Sequence, residues 1–514
     1  MDWTAGYTAD IEYIAAFYRE QSPTHLNFVC LANGFEPVSI DRPYTYCELG
    51  SGRGLTIDVL AAANPGGHFY GVDFNPAHVR GARQLAETAG LSNVTLLENS
   101  FEELIEGKVR DLPQFDFIVL HGVYTWVSAE NRKHVRRFIG DYLKPGGIAY
   151  VTYNAMPGWA SALPLQRLVR ELASLRSARS DVRLDDARAF VRRMNELQAA
   201  YFTGNSVGAR LQALMSSHPN YLVHEYLNES FEPLYHADIA RQLFDDCKVQ
   251  FVGSADLPMA FPSLYLTQEK LDLLATVHDA TIAETTKDYF LNTSFRKDVY
   301  VRGARSLNKQ RQLDALSRFG LALCVPRDQV NLKMQLTFGE ITAREEMHGP
   351  ILDALAVRPH SFAELAALPA MQDKLPAQVV QVASLLVATS QAVVYPQHSS
   401  PDAARTSRAM NLALTEQARL GEDFQVLASP LLGSAIPVTP IGSLVYRLLA
   451  DAGVSRGADV IAAQAWKSMS SLGRHLEKDN KKIEGDEANI AELTRLVDQV
   501  LTQRLPLWRQ LGIV

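Results

Sequence analysis

The 514-residue sequence has few cysteines and lacks a long apolar run. No two cysteines have the CxxC spacing of a zinc or redox site, so the sequence predicts four buried free thiols at Cys30, Cys47, Cys247 and Cys324. No stretch of about 18 apolar residues is present to span a bilayer. The N-terminal segment MDWTAGYTAD also lacks the basic and apolar regions of a secretory signal. We therefore expect a cytoplasmic protein without membrane insertion.

Positive charge is not in excess either. The sequence has 50 Lys and Arg against 57 Asp and Glu, which gives a formal net charge of −7 at pH 7. A general nucleic-acid binder needs a basic surface to neutralise phosphates, so we do not expect nucleic acid as a partner. Apolar residues make up 47% of the sequence, which is enough to form the cores of several folded domains.

Between Tyr44 and Asn154, short β-prone runs alternate with amphipathic segments. The runs YTYCEL, FYGVDF, VTLLEN, FDFIVL and IAYVTYN carry apolar residues on both faces instead of alternating with polar ones, as is typical of parallel strands covered by helices on both faces. Strands that alternate with helices in this way predict an α/β fold with a parallel sheet.

We expect four regions along the chain. The first, residues 1–303, contains the sheet, a helical insertion at about 160–220, and a segment at about 220–303 in which strand patterns resume. Residues 304–345 are expected to connect it to a winged-helix-like domain at 346–440, where short helices precede a β-branched run. A helical C-terminal region is expected at 441–514.

The sequence GSGRG follows the first predicted strand directly. A glycine-rich turn at this place lies at the mouth of the ligand crevice of an open parallel sheet. Gly50, Gly52 and Gly54 can adopt positive φ and let a ligand approach the backbone, while the next helix directs its N-terminal N–H groups to that ligand. We therefore expect the ligand to carry an anionic group.

Two ligands fit this requirement: a dinucleotide with its pyrophosphate, and S-adenosylmethionine (SAM) with its carboxylate. The dinucleotide motif G-x-G-x-x-G has its third glycine where this sequence has Leu55, which counts against a dinucleotide. Asp73, at the end of the second predicted strand, can bind ribose hydroxyls in either case. Glu48 would repel a pyrophosphate but suits the amino group of a methionine moiety, so the residues favour SAM.

A family resemblance agrees with this choice. The motifs ELGSGRG, GVDFNP and LKPGG resemble those of class I SAM-dependent methyltransferases. More narrowly, HGVYTWV, YNAMPGW and YLVHEYL are similar to methyltransferases that carry a so-called regulatory domain, a group that includes the rickettsial outer-membrane-protein lysine methyltransferases. The resemblance implies a Rossmann-like sheet, a regulatory-type segment at about 220–303, a C-terminal winged helix, and possible homodimers.

The resemblance also implies SAM as the cofactor, bound at its methionine end near the glycine turn, at its ribose by Asp73 and at its adenine by residues 99–101. The cofactor-binding residues are then expected to be Glu48, Gly50, Ser51, Gly52, Asp73, Phe74, Asn99, Ser100, Phe101 and His121.

A lysine acceptor would need help to lose its proton. With a reference pKa of about 10.4, only about 0.04% of a free lysine is neutral at pH 7, equivalent to roughly 4.6 kcal/mol of barrier. Burial among aromatic side chains and a nearby sulfonium both favour the neutral amine. The predicted acceptor wall follows the fourth and fifth strands and comprises His121, Tyr124, Trp126, Tyr153, Asn154 and Trp159. His121 is expected to titrate near neutrality.

The N-terminal segment carries Tyr7, Tyr13 and Tyr18 on a helical pattern. These tyrosines are expected either to close over the cofactor or to pack in the core. The spacings of His218, His224, His236 and Glu225 match no metal-ligand motif, so these residues are expected to be structural and no metal is expected.

The preferred function is therefore a SAM-dependent methyltransferase acting on protein lysine. A small-molecule N- or O-methyltransferase and a SAM-sensing regulatory or binding protein remain alternatives. The segment QDKLPAQVVQVASLLVATSQ is poorly charged, which disfavours DNA contact by the winged-helix-like domain and favours contact with a protein.

Overall fold

The structure, a computed structural model, describes residues 6–8, 10–11, 15–203, 207–418, 423–452, 457–478 and 481–514. All four cysteines are buried and free, as predicted. The first helices and strands alternate in chain order: α1 (Pro23–Ala32), β1 (Tyr44–Leu49), α2 (Leu55–Ala63), β2 (Gly67–Asp73), α3 (Pro76–Thr88), β3 (Val94–Glu98), α4 (Phe101–Ile105), β4 (Phe115–Leu120), α5 (Ala129–Tyr142) and β5 (Leu143–Asn154).

A second group of elements follows β5. It comprises α6 (Leu163–Ser174), α7 (Ser180–Glu196), α8 (Gly208–Ser216), α9 (Pro219–Tyr226), α10 (His236–Cys247), β6 (Val249–Ser254), α11 (Gln268–Ala275), α12 (Ala280–Leu291) and β7 (Phe295–Arg302). Helices α6 to α9 enclose a small core of their own, built around side chains such as Leu165, Leu184 and Leu222. This group therefore contains both a helical layer and the last two strands of the main sheet.

The main sheet has seven strands in the order β3-β2-β1-β4-β5-β7-β6. Strands β1 to β5 pair in parallel, and β7 runs antiparallel to β5 and to β6. The central strands are buried along nearly their whole length because helices cover both faces. The predicted Rossmann-like α/β sheet is confirmed. The sequence KPGG lies inside β5 where the register with β4 shifts, and Gly146 has φ +81°.

The next region, beginning at residue 309, contains α13 (Lys309–Leu316), β8 (Phe319–Leu323), β9 (Lys333–Leu336), β10 (Gly339–Thr342), α14 (Glu345–Val357), β11 (His360–Ser361), α15 (Phe362–Ala366), α16 (Pro376–Ala388), β12 (Ala392–Pro396), α17 (Ala403–Ala418), β13 (Val426–Ser429) and β14 (Ser434–Pro437). Its three-stranded sheet has the order β11-β8-β12. The central strand β8 thus comes from residues for which only a connecting role was predicted. The winged-helix interpretation and the domain limits stay predictions.

The last elements are α18 (Pro440–Ala452), α19 (Ala458–Ser471), β15 (Glu477–Lys478), β16 (Lys481–Lys482), α20 (Asp486–Gln499) and α21 (Leu505–Gln510). Helix α17 of the preceding region contacts the first domain, since its Met410 and Leu414 share an apolar cluster with Leu55 and Val59 of α2. Helix α2 follows the glycine turn, so α17 supports the element on which that turn depends.

Candidate functional site

The glycine turn connects β1 to α2 at the carboxyl edge of the sheet. Gly50, Gly52 and Gly54 all have positive φ, at +75°, +53° and +75°. A Cβ on Gly50 would lie 2.5 Å from Cγ2 of Val123, and a Cβ on Gly54 would lie 2.3 Å from the Cβ of Ala82. Conformation and space therefore both require glycine at positions 50 and 54.

Asp73 is the last residue of β2 and faces this turn. Its carboxylate accepts hydrogen bonds from the backbone N–H of Gly52 at 2.8 Å and of Asn75 at 2.9 Å. Nδ1 of His78 lies 3.3 Å from the same group. The side chain is 8% exposed, so these contacts fix the carboxylate at one position beside the cavity.

The cavity at this edge brings together residues that follow β1 to β4. The described residues that line it are Tyr7, Gly50, Gly52, Asp73, Phe74, His78, Asn99, Ser100, Phe101, His121, Gly122, Val123, Trp126, Val127 and Asn131. The predicted cofactor residues Gly50, Gly52, Asp73, Phe74 and His121 are among them, as are those at 99–101. Parallel strands end at the same edge, and this explains why residues far apart in sequence meet here.

Glu48 lies under the glycine turn and does not line the cavity. It is 4% exposed, and its Oε2 has no hydrogen-bond partner among the described residues. Burial raises its pKa to about 8; the Gln21 amide lowers it in part and the Asp73 carboxylate raises it further. A buried carboxyl oxygen without a partner is costly unless a ligand satisfies it, and a cationic ligand would also restore its charge. Ser51 is likewise in the turn but outside the cavity lining.

His121 lies at the end of β4, between aromatic rings. It stacks on Tyr18 with 3.8 Å between ring centroids, and its Nδ1 is 3.1 Å from the hydroxyl of Tyr150. Burial lowers its pKa to about 3. The prediction that His121 titrates near neutrality is therefore wrong, because the surrounding rings disfavour the imidazolium, and His121 is neutral at pH 7.

Two predicted wall residues, Tyr124 and Tyr153, are buried in the core instead of facing the cavity. The Tyr124 hydroxyl accepts a hydrogen bond from Arg136 at 3.2 Å. The Tyr153 hydroxyl donates to Asp298 at 2.6 Å, within a buried network that includes His236 and Arg296. The structure gives both hydroxyls structural partners and does not bring them to the cavity.

Asn154 and Trp159, the other predicted residues after β5, also lie outside the cavity lining. The Asn154 amide is 3.4 Å from Oγ1 of Thr125. Trp159 is fully buried, and the Arg210 guanidinium lies 4.0 Å from its ring centroid. Asn154 pairs with Phe295 of β7 in the sheet, and the Trp159 ring packs against Phe231, so both side chains are held away from the cavity. Of the predicted wall, only His121 and Trp126 line the cavity.

The N-terminal segment supplies a wall that the sequence left undecided. Tyr7 lines the cavity and packs edge-on against Phe74 at 5.8 Å. The segment is held by the backbone N–H of Thr8, which donates to Oδ1 of Asn228 at 2.9 Å. Tyr13, which the same expectation included, lies outside the described residues. The helical spacing of these tyrosines did not predict the local structure, since residues 15–18 are not helical.

A second, smaller cavity adjoins the first. Its described lining consists of Tyr7, Gly122, Trp126, Tyr221, His224, Glu225 and Asn228. Three of these residues, Tyr7, Gly122 and Trp126, also line the larger cavity, so the two spaces meet there. The sequence analysis did not predict this cavity. The resemblance motifs HGVYTWV and YLVHEYL contain most of its lining residues, but nothing in the sequence shows that α9 packs beside the loop after β4.

No helix in the described ranges is both long and apolar enough to cross a membrane. The same residues contain no group of three or more His, Cys, Asp or Glu side chains arranged to hold a metal ion.

The sequence matches two family models. One, described as a methyltransferase domain, matches residues 40–187, and the other, described as a predicted methyltransferase regulatory domain, matches residues 218–302. The first match contains the glycine turn, Asp73 and His121. The second contains α9 and therefore the Glu225 side of the smaller cavity.

Some relatives are similar to this chain over more residues than these two models match. An uncharacterized protein of Synechocystis is 35% identical over 517 aligned residues, which cover 100% of both chains. A tRNA (guanine-N(7)-)-methyltransferase of Yersinia enterocolitica is 25% identical over 138 residues, 26% of this chain and 54% of the relative. The solved structure of PKMT2 from Rickettsia typhi in complex with AdoHcy is 19% identical, with a TM-score of 0.71 over 97% of this chain and 98% of that one. At this identity the similarity concerns the fold.

Proposed function

Because the chain belongs to the SAM-dependent methyltransferases that carry a methyltransferase regulatory domain, we propose that it methylates the side-chain nitrogen of lysine in a protein substrate. The observation that carries this proposal is the larger cavity, which joins a glycine turn, a fixed aspartate and a neutral histidine at one sheet edge. The methyltransferase activity rests on the family. The lysine acceptor is our proposal.

The residues present fit the cofactor of this family. The backbone N–H groups of the glycine turn, with the N-terminus of α2 behind them, suit a carboxylate. The unpartnered Oε2 of Glu48 suits the ammonium of the same amino-acid moiety, and Asp73 suits the ribose hydroxyls. We assign the adenine to the edge formed by residues 99–101. When bound, SAM supplies a methyl group on a positively charged sulfur.

The residues around the cavity would act on the acceptor mainly by excluding water. Tyr7 and Trp126 are aromatic, His121 is neutral, and none of the described residues that line this cavity is a lysine or an arginine. Desolvation lowers the pKa of an amine and raises the fraction of the nucleophilic neutral form. Positioning of two reactants at about 3 to 3.5 Å then contributes most of the remaining rate enhancement.

Lysine is preferred over other acceptors for two reasons. The sequence motifs resemble a group that includes rickettsial protein lysine methyltransferases, and the fold similarity to a rickettsial protein covers nearly the whole chain. The relative whose name gives a tRNA substrate matches only about a quarter of this chain. The net charge of −7 does not favour a polyanionic substrate. Homodimers remain part of the proposal.

The test is methyl transfer by the purified protein. We expect SAM and a mixture of lysine-rich proteins to give mass increases that map to lysine side chains by peptide mass spectrometry. Asp73→Ala serves as the inactive variant, since it removes the carboxylate assigned to the ribose. Turnover of small amines or alcohols without any labelled protein would contradict the lysine acceptor and support a small-molecule methyltransferase. SAM binding with no acceptor in either class would support a sensor.

A further inference from the structure

The smaller cavity has the features of a binding pocket for a cation. Its walls combine three aromatic side chains, Tyr7, Trp126 and Tyr221, with one carboxylate, Glu225. Aromatic faces and carboxylates both attract cations, and they do so most strongly when little water is present. We call this cavity, lined by the residues given above, the amine pocket.

Glu225 is the charged group that the pocket contains. Its side chain is only 12% exposed. Burial raises its pKa to about 7, with the Arg210 guanidinium and the Tyr221 hydroxyl lowering it in part. A buried carboxylate whose pKa is raised by burial is stabilised in its charged form by any cation that reaches it.

Arg210 does not neutralise Glu225 by direct contact. The closest approach, from Nη1 of Arg210 to Oε1 of Glu225, is 3.9 Å, which is beyond hydrogen-bonding distance. The same guanidinium lies 4.0 Å from the ring centroid of Trp159 and is held there. The Tyr221 hydroxyl is a hydrogen-bond partner of this carboxylate, and Glu225 lines the cavity together with Tyr7 and Trp126, so a cationic group would approach it from that side.

The position of the pocket relates it to the larger cavity. Gly122 and Trp126, which follow β4, line both spaces, and Tyr7 closes both from the N-terminal side. A group held by Glu225 would reach the larger cavity past these three residues. His224 and Asn228 have a different task, since Asn228 holds the backbone of Thr8 and His224 packs on Tyr7 at 5.4 Å.

We infer that the amine pocket binds the methyl acceptor as an alkylammonium ion, with Glu225 as the residue that contacts the ammonium group. The inference rests on the proposed methyltransferase function and adds the residue that recognises the acceptor. The same chemistry belongs to a lysine side chain in a protein and to a free alkylamine, and the experiment separates the two.

The test measures binding, without methyl transfer, in protein saturated with S-adenosylhomocysteine. Isothermal titration uses three probes: butylamine, a short peptide with one lysine, and the same peptide with norleucine in place of lysine. We expect the wild type to bind both amines and to bind the norleucine peptide at least tenfold more weakly. Glu225→Gln should weaken amine binding at least tenfold and leave the affinity for S-adenosylhomocysteine within twofold.

Glu171→Gln is the matched control, because Glu171 is an exposed glutamate on α6 and lies outside both cavity linings. Its amine affinity should equal that of the wild type. If Glu225→Gln does not fold, a crystal structure of the wild type with S-adenosylhomocysteine and butylamine decides the matter. The amine nitrogen should then lie within about 3.5 Å of the Glu225 carboxylate.

Three results would separate this inference from the proposed function. Equal amine affinity in wild type and Glu225→Gln, or an amine bound elsewhere in the crystal, overturns the inference, even if proteins are methylated on lysine. No amine binding by the wild type overturns it as well. Butylamine binding that depends on Glu225, with no binding or methylation of lysine peptides, supports the pocket and overturns the protein-lysine substrate.

Discussion

The proposed cofactor side and the proposed acceptor side of the site are built in different ways. Residues 48–101 supply most of the side that we assign to the cofactor, through backbone geometry at three glycines and one fixed carboxylate. The amine pocket instead joins an N-terminal residue, the loop after β4 and helix α9, which are separated by about 100 residues each. The part assigned to the cofactor is formed by residues close together in sequence, so a motif can specify it. The amine pocket forms only when distant parts of the chain pack together.

This difference predicts different sensitivities to mutation. Backbone conformation at a positive φ cannot adapt to a side chain without strain, whereas side chains around a cavity can shift. Changes on the cofactor side should therefore have large effects on cofactor affinity. Changes elsewhere should have small effects on cofactor affinity, or should lower the stability of the fold instead.

Gly50→Ala should have the largest effect. The new Cβ would lie 2.5 Å from Val123, and positive φ adds about 1–3 kcal/mol of strain for a non-glycine residue. We expect the affinity for S-adenosylhomocysteine to fall at least about 30-fold, measured by isothermal titration, from about 2 kcal/mol or more of combined cost. Gly66→Ala is the control, because its Cβ would meet open space. Unchanged affinity in Gly50→Ala would show that the turn does not approach the cofactor.

Glu48→Gln tests the charge beneath the turn through pH. In the free protein Glu48 has a pKa of about 8, so it is protonated at pH 6 to 7 and must release its proton to pair with an ammonium group. Wild-type affinity should therefore rise up to about tenfold per pH unit between pH 6 and 7.5 and level off near pH 8. In Glu48→Gln the profile should be flat. Titration in buffers of different ionisation enthalpy should also detect proton release in the wild type alone, and equal release in both proteins would rule out this role.

Tyr153→Phe separates a core residue from a catalytic one. The change removes a buried hydrogen bond to Asp298, and the expected loss of unfolding free energy is about 1–3 kcal/mol. Urea denaturation should show this loss, while turnover per folded molecule should stay the same. Tyr289→Phe, at a tyrosine that is 60% exposed, should change neither. A loss of turnover at unchanged stability would return Tyr153 to the acceptor wall.

Asp423→Ala should have the smallest effect. Asp423, which precedes β13, pairs with Arg53 of the glycine turn at 2.5 Å, and both side chains are partly exposed. Such pairs contribute about 0–1 kcal/mol, so cofactor affinity should fall at most about fivefold, and less at high salt. Asp402→Ala removes an exposed pair with Arg405 away from the turn and should have no effect. A much larger loss in Asp423→Ala would mean that the segment before β13 controls the glycine turn.

The residues of the site differ in how well the sequence could predict them. Those that follow β1, β2, β3 and β4 were predictable, because parallel strands place their carboxyl ends at one edge. The same reasoning failed after β5, where Tyr153 and Trp159 are buried under helices that no strand pattern reveals. The sequence placed His121 correctly at the cavity but predicted the wrong protonation state. The burial that lowers its pKa includes stacking by Tyr18, which lies about 100 residues earlier in the chain.

The sequence by itself determined the parallel sheet and the glycine turn with its aspartate. Periodicity and glycine spacing are local properties, and they act over a few residues. Only the tertiary structure decided that Tyr7 closes the cavity, that Glu225 lines the smaller cavity and that Arg53 meets Asp423. These contacts depend on how α9 and the segment before β13 pack against the sheet, and packing is set by the whole folded chain at once.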